Sequence, residues 1–307
     1  GDAFRTGTHK AMIFDYLRIR GWSDQKTHYY GHTRSFSQLG SALSSLVGGF
    51  MVFYTGDYRE IFIYTSIPYI IDLLLVASYP KSLDGHRSSF SRKQVIENFR
   101  LVFKGFVATF MQWRTLRVAS NLSLHTGFYQ AVKDYLQPVL QTLALSAPLM
   151  LAYGEKQRTA VIVGVVYFFI YLTTAFSARK SGAFSALFKS LGTPLNLTRL
   201  AGLASGLLCG FLYDRQYILL AVVFFVIIFL IENLRKPIGV ARISEITDKD
   251  YLTTVLSAES QSHSLITALL APLIGFLADT LGLGESILIV SGLLLFQTPF
   301  ILLSKRH

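Results

Sequence analysis

The sequence predicts an all-α polytopic membrane protein, and three observations support this fold class. Of the 307 residues, 51% are hydrophobic and 15% are charged, whereas soluble domains carry about 25% charged residues. The apolar residues gather in windows of about 20 residues, long enough to cross a hydrocarbon core of about 30 Å. The Lys and Arg residues gather in alternate connecting segments, as they do in multi-pass proteins.

Eight apolar windows are predicted to cross the membrane. Stretches such as ILLAVVFFVIIFLI have almost no polar face, which disfavours a soluble helical bundle. Two other stretches, at 39–49 and 200–210, carry faces of small residues that favour close helix packing in lipid. The predicted spans are 35–55, 61–79, 117–139, 159–178, 195–213, 216–234, 253–278 and 286–304.

The basic residues predict the orientation of these spans. If the segment before the first complete span is cytoplasmic, the inner segments hold 24 of the 29 Lys and Arg residues. This positive-inside pattern accounts for the net charge of +11 without a nucleic-acid partner. We therefore expect a multi-pass protein of the cell inner (plasma) membrane, embedded in the lipid bilayer, with a cytoplasmic C-terminus. The inner segments are 1–34, 80–117, 179–199, 235–252 and 305–307.

A long inner loop divides the chain into three regions. Residues 1–79 would form a partial N-terminal bundle, 80–116 a central cytoplasmic loop, and 117–307 a six-helix C-terminal bundle. Within the loop, apolar residues recur at helical spacing across 95–113, which predicts an amphipathic helix on the membrane surface. Binding of a calmodulin-like partner by this helix is the alternative.

The span at 117–139 carries polar residues at membrane depth. On a helical wheel they fall within an arc of about 100°. A polar stripe on an apolar helix predicts a helix that lines a water-filled pathway, and the adjacent Pro138 predicts a bend. The alternative is that Lys133 and Asp134 form a pair that fixes packing. The stripe consists of Thr126, Gln130, Lys133, Asp134, Gln137 and Gln141.

The N-terminal stretch GDAFRTGTHKAMIFDYL predicts a second polar helix face. Arg5 and His9 are spaced i, i+4 on a face that also contains Asp2, Met12 and Tyr16. An arginine in a cavity can bind a carboxylate or phosphate through two hydrogen bonds, which makes Arg5 a candidate for solute binding together with His9. The alternative is the basic cytoplasmic end of a span.

Four further residues are candidates for carrying a coupling proton, because ionisable groups within spans are functional candidates by default. Asp72 lies alone in the middle of the second span, and Asp134 belongs to the stripe. Glu259 and His263 are spaced i, i+4 near the start of the seventh span. Glu232 and Asn233, in contrast, are interpreted as anchors of a span end.

The sequence lacks the motifs of the common catalytic and metal sites. It contains no G-x-S-x-G, H-E-x-x-H or Walker A motif, and Cys209 is its one cysteine. We therefore expect neither an enzyme nor a cofactor or metal site, and a polytopic acyltransferase is disfavoured. Without a P-loop, the chain is not expected to drive transport with ATP itself.

Several segments together resemble the major facilitator superfamily of transporters. GDAFRTGTHKAMIFDYL is similar to the fourth helix of many bacterial members, and YYGHTRSFSQLGSALSSLVGG to the fifth. AVKDYLQPVL resembles the seventh helix, IENLRKPIGVARISE the tenth, and VLSAESQSHSLITALLAPLIGFLADTLGLG the eleventh. The inner loop ARKSGAFSALFKSLG at 179–193 departs from the family's D-R-x-G-R-R pattern.

The resemblance implies a twelve-helix secondary transporter with a cavity between two bundles, of which this chain would lack roughly the first three and a half helices. We expect a monomer that moves a small organic solute by alternating access, with H⁺ as the coupling ion. Arg5, His9, Gln130, Lys133, Gln137 and Gln141 would contact the solute. The alternatives are a drug or metabolite efflux antiporter, and a transporter-like receptor or scaffold that does not transport.

Overall fold

The structure is a computed structural model that describes the backbone of residues 2–79, 111–146, 152–248 and 251–303, together with residues 96, 100, 103, 107 and 150. Side chains in these ranges are described from His9 onward, except that of Ser146. The predicted central loop at 80–116 and its amphipathic helix lie largely outside the described residues. Helix accounts for 89% of the structure, and no strand occurs within the described ranges.

Eleven α-helices follow one another along the described part of the chain, with a short 3₁₀ turn at Ser23–Gln25 between the first two. They are α1 (Asp2–Ile19), α2 (Lys26–Thr55), α3 (Arg59–Tyr64), α4 (Ser66–Ala77), α5 (Trp113–Lys133), α6 (Leu136–Ser146), α7 (Glu155–Ala186), α8 (Gly192–Asp214), α9 (Ile218–Ile246), α10 (Leu252–Leu281) and α11 (Leu283–Ile301).

Seven helical stretches in the described residues are long and apolar enough to cross a membrane. They coincide with seven of the eight predicted spans, and α3 and α4 together form one of them. The remaining predicted span, 117–139, falls on α5 and the start of α6 and is not among the seven helical stretches. The helices are consistent with a polytopic membrane protein, as the sequence predicted.

Two of the helices continue well beyond their predicted spans. The span predicted at 159–178 belongs to α7, which ends at Ala186, and that predicted at 216–234 belongs to α9, which ends at Ile246. The extra turns of α9 bury Ile238 and Ile243 in the core. Arg235 and Lys236, which the sequence analysis placed in an inner loop, therefore lie within a helix.

The polar stripe predicted on one continuous helix crosses a break. The last residue of α5 is Lys133, Asp134 and Tyr135 form a turn, and α6 begins at Leu136. Pro138 has no N–H to donate to the carbonyl of Asp134, four residues earlier, and its ring would clash with that carbonyl. The helix is therefore interrupted on the N-terminal side of Pro138, and the bend stays a prediction.

The described residues cluster into two compact units. The larger unit comprises 1–35, 89–134 and 176–307, and the smaller unit comprises 36–88 and 135–175. The sequence division into an N-terminal and a C-terminal bundle stays a prediction. The core of the larger unit consists of Phe14, Leu17, Tyr30, Val118, Leu122, Leu195, Ile238, Val240, Ile243, Leu252, Val255, Leu256 and Leu303.

Small residues bring helices into close contact within each unit, as the two small-residue faces predicted. In the larger unit, a Cβ added to Gly284 would lie 2.7 Å from the carbonyl oxygen of Gly210. In the smaller unit, a Cβ added to Gly164 would lie 2.8 Å from the carbonyl oxygen of Ser45. Large side chains such as Phe276 and Phe296 are exposed on these helices, a surface that suits lipid better than water.

Candidate functional site

Two lysines and one glutamate from three helices meet inside the larger unit. Lys10 Nζ of α1 lies 3.9 Å from Glu259 Oε2 of α10. Lys236 Nζ of α9 lies 3.5 Å from Glu259 Oε1. The side chain of Glu259 is 2% exposed, and those of the lysines are 7% and 12% exposed. We call Lys10, Lys236 and Glu259 the Glu259 cluster.

Helical spacing positions these side chains in the interior. On α10, Leu252, Val255, Leu256 and Glu259 are buried at spacings i, i+3, i+4 and i+7, so Glu259 continues an apolar stripe. On α1, Lys10 shares the buried face with Phe14 and Leu17. Each charge therefore occupies a position that an apolar residue would fill in an ordinary core.

A second carboxylate, Glu232 of α9, binds two residues of α5. His125 Nδ1 lies 3.0 Å from Glu232 Oε2, and the Thr126 hydroxyl donates a 3.0 Å hydrogen bond to Glu232 Oε1. All three side chains are buried. A Cβ on Gly202 of α8 would collide with the His125 ring, so the absence of a side chain there makes room for the imidazole. We call His125, Thr126 and Glu232 the Glu232 triad.

Two buried arginines join α5, α8, α9 and α11 through hydrogen bonds to neutral oxygens. Arg199 donates from Nε to Thr298 Oγ1 at 3.2 Å and from Nη1 to the Asn121 carbonyl at 3.2 Å. Arg235 donates from Nη2 to the Asn121 carbonyl at 2.7 Å and also contacts the Asn121 side chain and the Leu195 carbonyl. These contacts fix the helices against each other near the two carboxylates. We call Asn121, Arg199 and Arg235 the arginine network.

A small enclosed cavity connects the three groups. Its volume is about 10 Å³, which is roughly the space that one water molecule needs. Two residues of its lining each have a buried polar atom, Arg235 Nε and Glu259 Oε2, without a hydrogen-bond partner within the described residues. A water molecule would fit there, whereas an organic solute would not. The cavity is lined by Leu122, Thr126, Arg235, Lys236, Gly239, Val240 and Glu259.

Positive charge exceeds negative charge in this interior. The Glu259 cluster, the Glu232 triad and the arginine network contain two carboxylates. Arg34, which is half-buried and donates a 3.0 Å hydrogen bond to Asn233, adds one more cation beside Glu232. The cationic side chains are Lys10, Arg34, Arg199, Arg235 and Lys236. Such an excess of positive charge in the interior favours the entry of an anionic group.

The predicted site residues of α1 and α10 differ in their burial. Glu259 is central to the site, and His263, one turn later, is half-buried with Nε2 3.3 Å from Ser260 Oγ. His9 is exposed. The buried face of α1 contains the next residue, Lys10, and so differs from the predicted face by a rotation of one residue. Arg5 lies within α1 at a position where the structure describes the backbone alone.

The polar stripe predicted on the span at 117–139 is divided between the two units. In the larger unit, Gln130 is half-buried, and Lys133 Nζ lies 3.4 Å from Asp134 Oδ1, with 34% and 82% of these side chains exposed. In the smaller unit, Gln137 and Gln141 line a cavity of about 190 Å³. Both the solute-binding role of these residues and the alternative of a packing pair stay predictions.

Asp72 belongs to α4 in the smaller unit, where its side chain is exposed. The other predicted proton carriers belong to the larger unit, and the role of Asp72 in coupling stays a prediction.

Sequence reasoning missed most of the basic residues of this site. Glu232, Arg235, Lys236 and Gly239 are spaced i, i+3, i+4 and i+7, which is a single helix face. This periodicity could have identified the site if the predicted span 216–234 had been extended to residue 239. His125 lies in the predicted span 117–139 but outside the arc of the polar stripe on the helical wheel, so it was not identified as a candidate.

Within the described ranges, no group of three or more His, Cys, Asp or Glu side chains could hold a metal ion. No family model matches the chain, and no curated protein matches it.

Proposed function

We propose that this protein is a secondary active transporter that moves a small organic solute across the membrane by alternating access, with H⁺ as the coupling ion. The observation that carries the proposal is the Glu259 cluster, in which charges from three helices are buried together. Burying a charged group costs several kcal/mol, so a buried cluster of charges from three helices is a candidate for a functional role.

Glu259 would carry the coupling proton in this mechanism. When a proton from water binds its carboxylate, the negative charge that holds Lys10 and Lys236 disappears. The lysines then separate, because like charges repel across a medium of low dielectric constant. Since Lys10 and Lys236 belong to α1 and α9, their release would loosen the contacts of both helices with α10.

The proposal includes the architecture and the setting of the transporter. The motif resemblance supports a twelve-helix arrangement of the major facilitator type, and the distribution of basic residues supports an inner-membrane location with a cytoplasmic C-terminus. We propose a monomer that acts without enzymatic chemistry.

Flux measurements in proteoliposomes test the function. The complete gene product is reconstituted in vesicles that contain the pH-sensitive dye pyranine, and a panel of organic acids, amino acids and sugars is added outside. We expect at least one solute to acidify the lumen, and Glu259→Gln to abolish this proton movement. Glu155→Gln, which removes an exposed carboxylate at the start of α7, is the matched control.

One result would contradict the proposal. A solute that binds the wild-type protein without any gradient-dependent flux would indicate a receptor or scaffold. Proton flux in the opposite direction to solute movement would retain proton-coupled transport and indicate the alternative, an efflux antiporter.

A further inference from the structure

We infer that the transported solute is an anion, and that its negatively charged group binds Lys10 and Lys236 in place of the Glu259 carboxylate. This inference rests on the proposed transport function and names its substrate class. Carboxylates and phosphates share the required chemistry, since both accept hydrogen bonds from ammonium groups.

The geometry of the Glu259 cluster indicates a replaceable anion. Two ammonium groups from different helices approach the two oxygens of one carboxylate, at 3.9 and 3.5 Å. These distances are longer than the roughly 2.7–2.9 Å of a tight charge-assisted hydrogen bond. Glu259 therefore holds both lysines loosely, as an internal substitute for an external anion would.

The charge balance indicates the same substrate class. When Glu259 is neutralised by a proton, Glu232 remains as the carboxylate of the three described groups, and it is already bound by His125 and Thr126. Glu232 still interacts with Arg235 and Lys236, but this one carboxylate then faces three cations, Lys10, Lys236 and Arg235. A neutral or cationic solute would leave this charge uncompensated, whereas an anion would compensate it.

The adjacent cavity indicates that exchange requires movement. Because the cavity holds about one water molecule, an anionic group reaches the lysines when the Glu259 side chain withdraws. Anion binding and Glu259 ionisation therefore compete, and the removal of the Glu259 charge is expected to strengthen anion binding. If the cluster served only to stabilise the fold, Glu259→Gln would instead weaken anion binding together with every other function of the protein.

Equilibrium binding to the detergent-solubilised complete protein tests the inference. The probes are acetate, succinate and inorganic phosphate, with acetamide and succinamide as neutral counterparts of the two carboxylates. We expect at least one anion to bind and its neutral counterpart not to bind. We expect Glu259→Gln to lower the Kd of that anion about tenfold, and Lys10→Met or Lys236→Met to raise it by a similar factor.

Matched controls make the outcome decisive. Lys156→Met and Glu155→Gln alter exposed charges of α7 and should leave the Kd unchanged, and Lys236→Arg should retain binding. Comparison of the Kd values of succinate and phosphate distinguishes a carboxylate solute from a phosphate solute. Weaker anion binding by a folded Glu259→Gln variant would overturn the inference. If Glu259→Gln does not fold, an unchanged Kd in Lys236→Met would overturn it instead. Wild-type flux of neutral or cationic solutes alone would overturn it and leave the transport function standing.

Discussion

Glu259 is a costly residue to bury if its purpose is stability alone. Replacing a buried ion pair with apolar residues of similar volume is often neutral or stabilising by about 1–4 kcal/mol. Glu259 occupies an i+7 position of an apolar stripe on α10, where a leucine would serve the fold as well. The retention of a charge there, facing two lysines, is therefore better explained by exchange of a proton and an anion.

The Glu232 triad has a different, structural role that mutation can measure. Glu232→Ala would leave His125 and Thr126 without their partner in a buried site. We expect a loss of about 1–3 kcal/mol in the free energy of unfolding, the cost of leaving buried polar groups without their partner. Unfolding by denaturant in detergent micelles provides the measurement. Glu155→Ala at an exposed position should change stability by less than about 0.5 kcal/mol, and an equally small effect at Glu232 would contradict this role.

The residues of this site were predictable in part. Glu259 and His263 were identified because their positions fell within a clearly apolar span. Lys10 was not, because one residue on a helix is a rotation of about 100°, and a short N-terminal stretch does not define which face is buried. Glu232 and His125 are 107 residues apart in the chain and lie on different helices, so local sequence patterns do not reveal their pairing.

At the level of helices, α9 connects the three polar groups. It supplies Glu232, Arg235 and Lys236, and at about 1.5 Å per residue its 29 residues span about 44 Å. The sequence predicted that this helix exists, since its first half is strongly apolar. Its end was predicted too early, because the second half alternates buried charges with core residues such as Ile238 and depends on tertiary partners.

The arginine network predicts that Arg235 does not tolerate lysine. The guanidinium donates to oxygens on α5 and α8 at once, and an ammonium group cannot reproduce this fork. We expect Arg235→Lys to reduce the free energy of unfolding by about 2–4 kcal/mol, since buried acceptors lose their donors. Thermal or denaturant unfolding in detergent measures the effect. Arg215→Lys, at an exposed position after α8, is the control, and equal stability of both variants would contradict the role of the network.

At the level of the whole molecule, the basic residues predict which connections face the cytoplasm. The connection between α7 and α8 should be cytoplasmic, and the connection between α8 and α9 should lie outside. With the buried Cys209 replaced by serine, Ser190→Cys should react with a membrane-impermeant maleimide in inside-out vesicles. Gln216→Cys should react in intact cells. The reverse labelling pattern would show that the predicted orientation is wrong.

The fold class was accessible from sequence because hydropathy is a local property of each helix. The grouping of the helices was less accessible. The larger unit assembles residues from three separate stretches of the chain, and its close contacts depend on single glycines such as Gly202. Patterns of small residues predicted that helices would pack closely, but not which partners they would have.

Counterflow tests most directly whether the Glu259 cluster is the solute site of a transporter. Proteoliposomes are preloaded with the panel acid that binds most tightly and diluted into a trace of the same acid in radiolabelled form, without a proton gradient. We expect transient accumulation of label for the wild-type protein and for Glu259→Gln, which exchanges solute without releasing a proton. Lys236→Met should show none. Counterflow in Lys236→Met equal to that of the wild-type protein would contradict the assignment of the site.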